Sequence, residues 1–373
     1  MKVLHVAASF ARRDGGPSEV IRGLIPAQRE LGLHVELVAT NKGIDETDRL
    51  LSTDPGVHVF PSMRPDSWTF SPKMALEIAG IVETFDLVHI HSIQTFTSTI
   101  AMNAARVARI PYVIQPHGAL DRYHWKQGRF KKTAYLHLVD SFGIRGLAGA
   151  FYSSEHEASQ GREILRNAPA FDLPLGVDPE LQNFEGTRNA PDLFEILFLG
   201  RVTAKKRLDI VLSALAEPDL RNTETRLVVA GPIDRNLTYD PRALASKLGV
   251  LDRVTFLGQV DAEVRSALLR RASVFVLASE DESFGVAVAE AMSAGCAVVT
   301  TAQVGIAAEA ARYGALEIAP ATAFSFSKSI SRLRQDEVAC ATMGRAAREF
   351  AKNRYTWPIA ARASLNCYEQ ILG

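Results

Sequence analysis

The feature that most restricts how this chain can fold is a rhythm that runs twice. Short apolar runs of strand length alternate with stretches of helical period. In the first half KVLHVA, HVELVAT, GVHVF, DLVHIHS, PYVIQPHG and AGAFYSS read as strands, with helical patterns such as SEVIRGLIPAQRELG and STIAMNAARVAR between them. Alternation of this kind implies βαβ units and a mainly parallel sheet. From Asn167 to Asp192 the rhythm breaks, and Pro169, Pro174, Pro179 and Pro191 with Gly176 and Gly186 mark a linker. It restarts with FEILFLGRV, TRLVVAG, RVTFLGQV, SVFVLAS and CAVVTT as strands, and three helical stretches close the chain, the last opening at Trp357-Pro358. The expectation is two similar α/β halves with a cleft between them.

Composition narrows the class. A chain of 373 residues exceeds one ordinary core. Lys+Arg and Asp+Glu both total 42, so net charge favours neither nucleic acid nor an acidic tail. The apolar start alternates as a strand does and is soon followed by charge, so it is read as structure and not as a targeting segment. No run approaches the ~20 apolar residues of a membrane span. Cys296, Cys340 and Cys367 lack metal-ligand spacing, which fits a reducing cytosol.

Chemistry is sought at the carboxyl ends of the strands, where open α/β sheets bind ligands. In SFARRDGGPSEV, Gly15 and Gly16 permit close backbone approach, and Pro17 suits the first turn of a helix whose amides attract anions. A plain β-to-α turn explains the same residues. His117 ends another strand beside Gly118, and His89 and His91 share one face of a third, where structural packing outweighs a metal pair. In the second half, Arg201, Lys205, Lys206 and Arg207 cluster after a strand and a glycine, suited to phosphate. Glu282 ends a strand and Glu290 lies in an apolar helix, where a carboxylate needs a partner or a ligand. Bases for phosphate and carboxylates for hydroxyls together suggest a nucleotide sugar.

These residues resemble the family 4 glycosyltransferases. GRVTAKKRLD, followed about 75 residues later by the E-x7-E of Glu282 and Glu290, carries the likeness. GGPSEV, the His117-Gly118 pair, FYSS, PLGVD and VVAGP match in order, so the likeness spans nearly the whole chain. It implies a GT-B fold: two Rossmann-like doubly wound domains facing each other across a cleft. Residues 1–175 would form the acceptor-binding domain, 176–355 the nucleotide-sugar domain, and 356–373 a helix crossing back to the first. Arg201 and Lys206 would hold the donor pyrophosphate, and Glu282, with the backbone of Ser283, Phe284 and Gly285, the transferred sugar. Glu290 would take the ribose, Val260 would lie where the base is cradled, Gly16 beside Gly15 would approach the phosphate, and His117 would contact the sugar. Two positions depart from the family pattern: Arg207 stands where Gly is common, and Leu175 where Asn is.

The likeness implies a retaining hexosyltransferase acting on a GDP- or UDP-sugar and a glycan or lipid-linked acceptor in bacterial surface polysaccharide or lipopolysaccharide synthesis. The E-x7-E spacing, with Glu290 assigned to ribose, does not supply the two carboxylates about 5–5.5 Å apart that a covalent retaining mechanism needs. Front-side attack is the expectation, with no metal and no cofactor. A GT-B-fold epimerase or phosphorylase and a non-catalytic nucleotide-sugar sensor are the rivals. Between Asp121 and Lys132, Arg122, Lys126, Arg129, Lys131 and Lys132 interleave with Tyr123, Trp125 and Phe130. Two readings stand for that stretch: contact with an anionic membrane or lipid-diphosphate acceptor, or a solvated helix face with packed aromatics. Nucleic acid is not expected, and the setting is cytoplasmic, at the inner face of the membrane if the first reading holds.

Overall fold

The computed structural model describes residues 1–64, 68–126, 128–182 and 193–373. These form two compact units, Met1–Gly176 with Trp357–Gly373, and Val177–Thr356.

The first unit holds β1 (Lys2–Val6), β2 (His34–Thr40), β3 (Val57–Phe60), β4 (Leu87–His91), β5 (Tyr112–Gln115), β6 (Gly149–Tyr152) and β7 (Ala170–Asp172). They pair in the order β3-β2-β1-β4-β5-β6-β7, every pair parallel. The second unit holds β8 (Glu195–Leu199), β9 (Arg226–Ala230), β10 (Val254–Gly258), β11 (Val274–Leu277), β12 (Ala297–Thr300) and β13 (Glu317–Ile318), in the order β10-β9-β8-β11-β12-β13. Both sheets are doubly wound. The strand order reverses between β1 and β4 in one and between β8 and β11 in the other.

The central strands β4, β8 and β11 are buried along their whole length, as strands covered by helices on both faces must be. The charge carried into β8 by Glu195 is met by Arg271, whose Nη2 stands 2.6 Å from the carboxylate. β7 falls inside the Pro/Gly-rich passage expected to be a linker, so part of that passage is an edge strand. Residues 183–192 of the expected linker lie outside the described residues.

Helix Trp357–Leu372 packs in the first unit against helix Gly16–Glu30. Gly23 makes room for it, because a Cβ there would fall inside the Trp357 indole. Among the described residues no helix is long and apolar enough to cross a membrane.

Candidate active site

In the second unit the reversal of strand order leaves a crevice beyond the carboxyl ends of β8 and β11. From β8 the chain passes through Gly200 and Arg201 into a 3-10 turn, Ala204–Lys206. From β11 it runs through Ser279 to Gly285 and enters helix Val286–Ser293. Main-chain bonds join the two loops. The Glu280 amide donates to the Lys205 carbonyl at 2.8 Å, and the Ser279 hydroxyl lies 3.1 Å from the same carbonyl. Glu282 is held on its other side, its amide donating to the Gln303 carbonyl and its carbonyl accepting from the Gly305 amide, at 3.0 and 2.8 Å.

This framework brings Lys206 and Glu282 together: Nζ lies 3.1 Å from Oε1, with each side chain only 15% exposed. The same oxygen lies 3.2 Å from the Ser279 hydroxyl, an alternative acceptor to the Lys205 carbonyl for its single hydrogen. Burial alone would raise the Glu282 pKa. The charges of Lys206 and Lys205, with the bonds from Lys206 and Ser279, hold it below the ordinary carboxylate value. Gly200 stands at φ +129°, a conformation that disfavours a side chain, and Lys206 Nζ lies 3.1 Å from where a Cβ would stand. Arg201 is exposed and makes no ion pair among the described residues.

Gly285 caps the following helix at φ +100°, a conformation that disfavours any side chain, and Val304 fills the space a Cβ would need. Phe284 is buried with its ring edge-on to Tyr355, so this side chain anchors the loop. Ser283 is half-buried. Glu290 is buried and pairs with Arg265 at 3.0 Å. The sequence named Glu290 but not Arg265, which comes from a different helix, Ala262–Arg271. Val260 lies two residues beyond β10 and is half-buried.

Arg207 is a structural tie. Its guanidinium bonds Asp209 at 2.9 Å and Glu280 at 2.7 Å, and these bonds hold it charged. Of the run Glu280-Asp281-Glu282, the first and last carboxylates thus each face a base.

In the first unit the reversal lies between β1 and β4. A cavity of about 240 Å³ opens there, lined by Ser9, Lys42, His91 and Ser92 among others. Gly15 turns the chain at φ +82° into helix Gly16–Glu30, and the position of a Gly16 Cβ is open space. Beside the cavity His117 follows β5 with φ +53°, unusual for a residue with a side chain. Glu157 fixes that turn, accepting from the Gly118 amide (2.8 Å), the Ser153 amide (2.8 Å) and the Ser153 hydroxyl (2.7 Å). Burial raises its pKa against those bonds. In sequence Glu157 reads as a helix-capping residue three places after Ser154, so its hold on the His117 loop was hidden.

His117 is one end of a buried histidine stack. Its Nε2 lies 2.9 Å from His91 Nδ1, and His91 Nε2 lies 2.8 Å from His5 Nδ1. His89 stacks on His91 at 4.5 Å, with an angle of 10° between the rings. Burial lowers all four pKa values, to about 3 for His5 and His117. The nitrogens of His5, His89 and His91 lie within 4.8 Å of one another. The rings are stacked, His5 and His91 bond each other, and His91 Nδ1 and His89 Nδ1 bond His117 and Tyr368, while His89 Nε2 has no hydrogen-bond partner among the described residues.

The stretch from Arg122 to Arg145 is helical in pieces: Arg122–Lys126, Arg129–Tyr135, a π turn Leu136–Asp140, and Ser141–Arg145, with Gly128 at φ +78° between the first two. Trp125 packs on the core, whereas Phe130, Lys131, Leu138 and Phe142 are exposed.

Two doubly wound domains, one with a lysine–carboxylate crevice and one with a cavity at the edge of a histidine stack, define a two-domain enzyme of the GT-B class. Comparison with known proteins supports that class. The family model "Glycosyl transferases group 1" matches residues 181–350, and "Glycosyl transferase 4-like domain" matches 15–176. A D-inositol 3-phosphate glycosyltransferase of Streptomyces bingchenggensis is 31% identical over 319 residues, 77% of this chain and 67% of that protein. A GDP-mannose:cellobiosyl-diphosphopolyprenol alpha-mannosyltransferase of Xanthomonas oryzae is 26% identical over 79% of this chain and 77% of its own. The solved structure of Anabaena HepE with UDP and glucose superposes with a TM-score of 0.78 at 18% identity, covering 99% of this chain and 100% of that one. The chain belongs to the family 4 glycosyltransferases of GT-B fold.

Proposed function

We propose that the protein is a retaining, metal-independent hexosyltransferase. It takes a GDP- or UDP-sugar as donor and a glycan or lipid-linked acceptor, in assembly of bacterial surface polysaccharide or lipopolysaccharide. The observation that carries the donor assignment is the Lys206–Glu282 pair, largely buried at the reversal between β8 and β11. An arriving diphosphate competes for Lys206, and the freed Glu282 carboxylate accepts hydrogen bonds from sugar hydroxyls. Arg201, exposed and unpaired among the described residues, adds the second positive charge. Glu290, fixed by Arg265, takes the ribose.

In the reaction the bond from the anomeric carbon to the phosphate oxygen breaks, and the bond to the acceptor oxygen forms on the same face. The acceptor's proton passes to the departing phosphate oxygen. Lys206 and Arg201 stabilise the charge that develops on the diphosphate, the role a divalent ion fills elsewhere. Glu290 is committed to Arg265, which favours this course over a carboxylate pair flanking the scissile bond. His117 meets the transferred sugar. The Xanthomonas relative is named for a diphosphopolyprenol-linked acceptor. A lipid-linked acceptor also suits the exposed Phe130, Lys131, Leu138 and Phe142 as a seat on an anionic membrane at its cytoplasmic face.

The test is transfer from radiolabelled nucleotide sugars with and without chelator. Full activity in chelator is expected, and loss restored by a divalent ion would refute metal independence. Charge reversal at Lys131 and Lys132 should weaken binding to anionic vesicles, and unchanged binding would remove the membrane seat.

A further inference from the structure

The buried histidines are joined in a directed chain, and its direction is set far from its end. Ser364 donates its hydroxyl hydrogen to the Ala361 carbonyl at 2.8 Å, so its oxygen is left to accept from Gln28 Nε2 at 2.8 Å. The second hydrogen on Gln28 Nε2 goes to the Tyr368 oxygen at 3.0 Å, and Tyr368 turns its own hydrogen to His89 Nδ1 at 2.7 Å. Gln28 therefore shows His5 its carbonyl oxygen, 2.8 Å from Nε2, and His5 carries its hydrogen on Nε2. A neutral ring protonated at Nε2 accepts at Nδ1, so His91 must donate from Nε2 across 2.8 Å. His91 Nδ1 then accepts from His117 Nε2 across 2.9 Å. The last ring nitrogen, His117 Nδ1, has no partner among the described residues.

We propose that Gln28, acting through His5 and His91, fixes the tautomer of His117 so that its Nδ1 faces the ligand unprotonated, as an acceptor for one hydroxyl of the transferred sugar. Gln28, His5 and His91 are thus positioning residues, and Ser364 and Tyr368 of the C-terminal helix hold the first of them. The proposal rests on the reading of His117 as the sugar contact. Gln28 and His5 are fully buried and His91 is 2% exposed, so water does not compete for these bonds. The low pKa values of His5 and His117 keep each ring at a single hydrogen through the physiological range. An acceptor at this point rewards a sugar with a hydroxyl there and rejects a deoxy, keto or carboxylate group in its place.

The experiment uses the full chain with 15N-labelled histidine, each signal assigned by single His→Gln variants. Nitrogen shifts report directly which ring atom bears the hydrogen. His5, His91 and His117 are expected as Nε2–H tautomers, and an Nδ1–H signal for His117 would overturn the proposal. Gln28→Met, of similar length but without the carbonyl acceptor, should mix the His117 tautomers. It should also lower kcat/KM for the hydroxylated donor about tenfold while changing one of the singly deoxygenated donors much less. An unchanged tautomer, or equal losses on every donor, would show that Gln28 serves packing alone. If Gln28→Met does not fold, the wild-type spectrum still decides the tautomer and Tyr368→Phe probes the anchor. Failure of the wild-type protein to transfer from any nucleotide sugar, with the Nε2–H pattern intact, would refute the glycosyl-transfer reading and leave the relay standing.

Discussion

The two sheets reverse their strand order in the same way, yet the side chains gathered at their reversals differ. In the second unit the crevice is ionic: Lys206 against Glu282 and Arg207 against Asp209 and Glu280. In the first, His91 brings a stack of imidazoles that burial keeps uncharged to a wall that also carries Lys42 and Asp14, 3.7 Å apart. The fold supplies a ligand site at each reversal, and the loop residues decide its chemistry. An ionic crevice suits a diphosphate, whose charge must be matched. Uncharged imidazoles with fixed donors and acceptors suit hydroxyls, where misplaced charge would only add a desolvation cost.

The contrast can be broken most strongly at the ionic crevice. Lys206→Ala should reduce transfer by about 10²–10³-fold, the range for loss of one group that stabilises transition-state charge. Rates measured at saturating acceptor check this, and a loss below about tenfold would mean that the lysine serves folding more than chemistry.

Acid separates the two crevices next. The buried histidines take up protons near pH 6.5 when unfolded, but His5 and His117 refuse them in the fold until about pH 3. Their contribution is therefore fully present above pH 6.5 and falls as pH drops below it, by up to about 1.4 kcal/mol per pH unit for each group. Arg29 adds to the cost of charging His5, and the neighbouring histidines to that of His91. Glu282 has a folded pKa below its ordinary 4.5, so the stability from its pair with Lys206 is present above that pH and is lost only at lower values. Hydrogen exchange resolved by unit should show the first unit loosening at the higher pH.

Gly23→Ala should cost about 1–3 kcal/mol by overpacking against Trp357, seen in the denaturant midpoint. A neutral result would mean that helix Trp357–Leu372 shifts freely on the first unit. Smallest of all, Arg207→Ala should change stability by less than about 1 kcal/mol, since its ion pairs are about a third exposed. A large effect there on donor affinity would return Arg207 to the phosphate site.

Much of this was legible in the sequence because it is local. The period of the apolar runs places the central strands, and GRVTAKKRLD and E-x7-E stand at the strand ends where the structure brings Lys206 and Glu282 together. The edge strands β7 and β13, of three and two residues, are too short to leave a periodic signal. His89 and His91 were visible as a pair on one strand. Their link to His5, 86 residues from His91, and through Gln28 to Tyr368, 340 residues from Gln28, exists only after the sheet has formed and the last helix has docked. Arg265 escaped notice for the same reason. It sits on an amphipathic helix where one arginine resembles any other, and only its contact with buried Glu290 distinguishes it.

In the proposed function the second unit's ionic crevice grips a nucleoside-diphosphate sugar. Thermal denaturation of the wild-type chain and of Lys206→Ala, each with GDP-, UDP-, ADP- and dTDP-sugars, tests it most directly, because a ligand that binds only the folded state raises the melting temperature. A rise with one of these is expected in the wild type and is lost or strongly reduced in the variant. An equal rise in both proteins would contradict it.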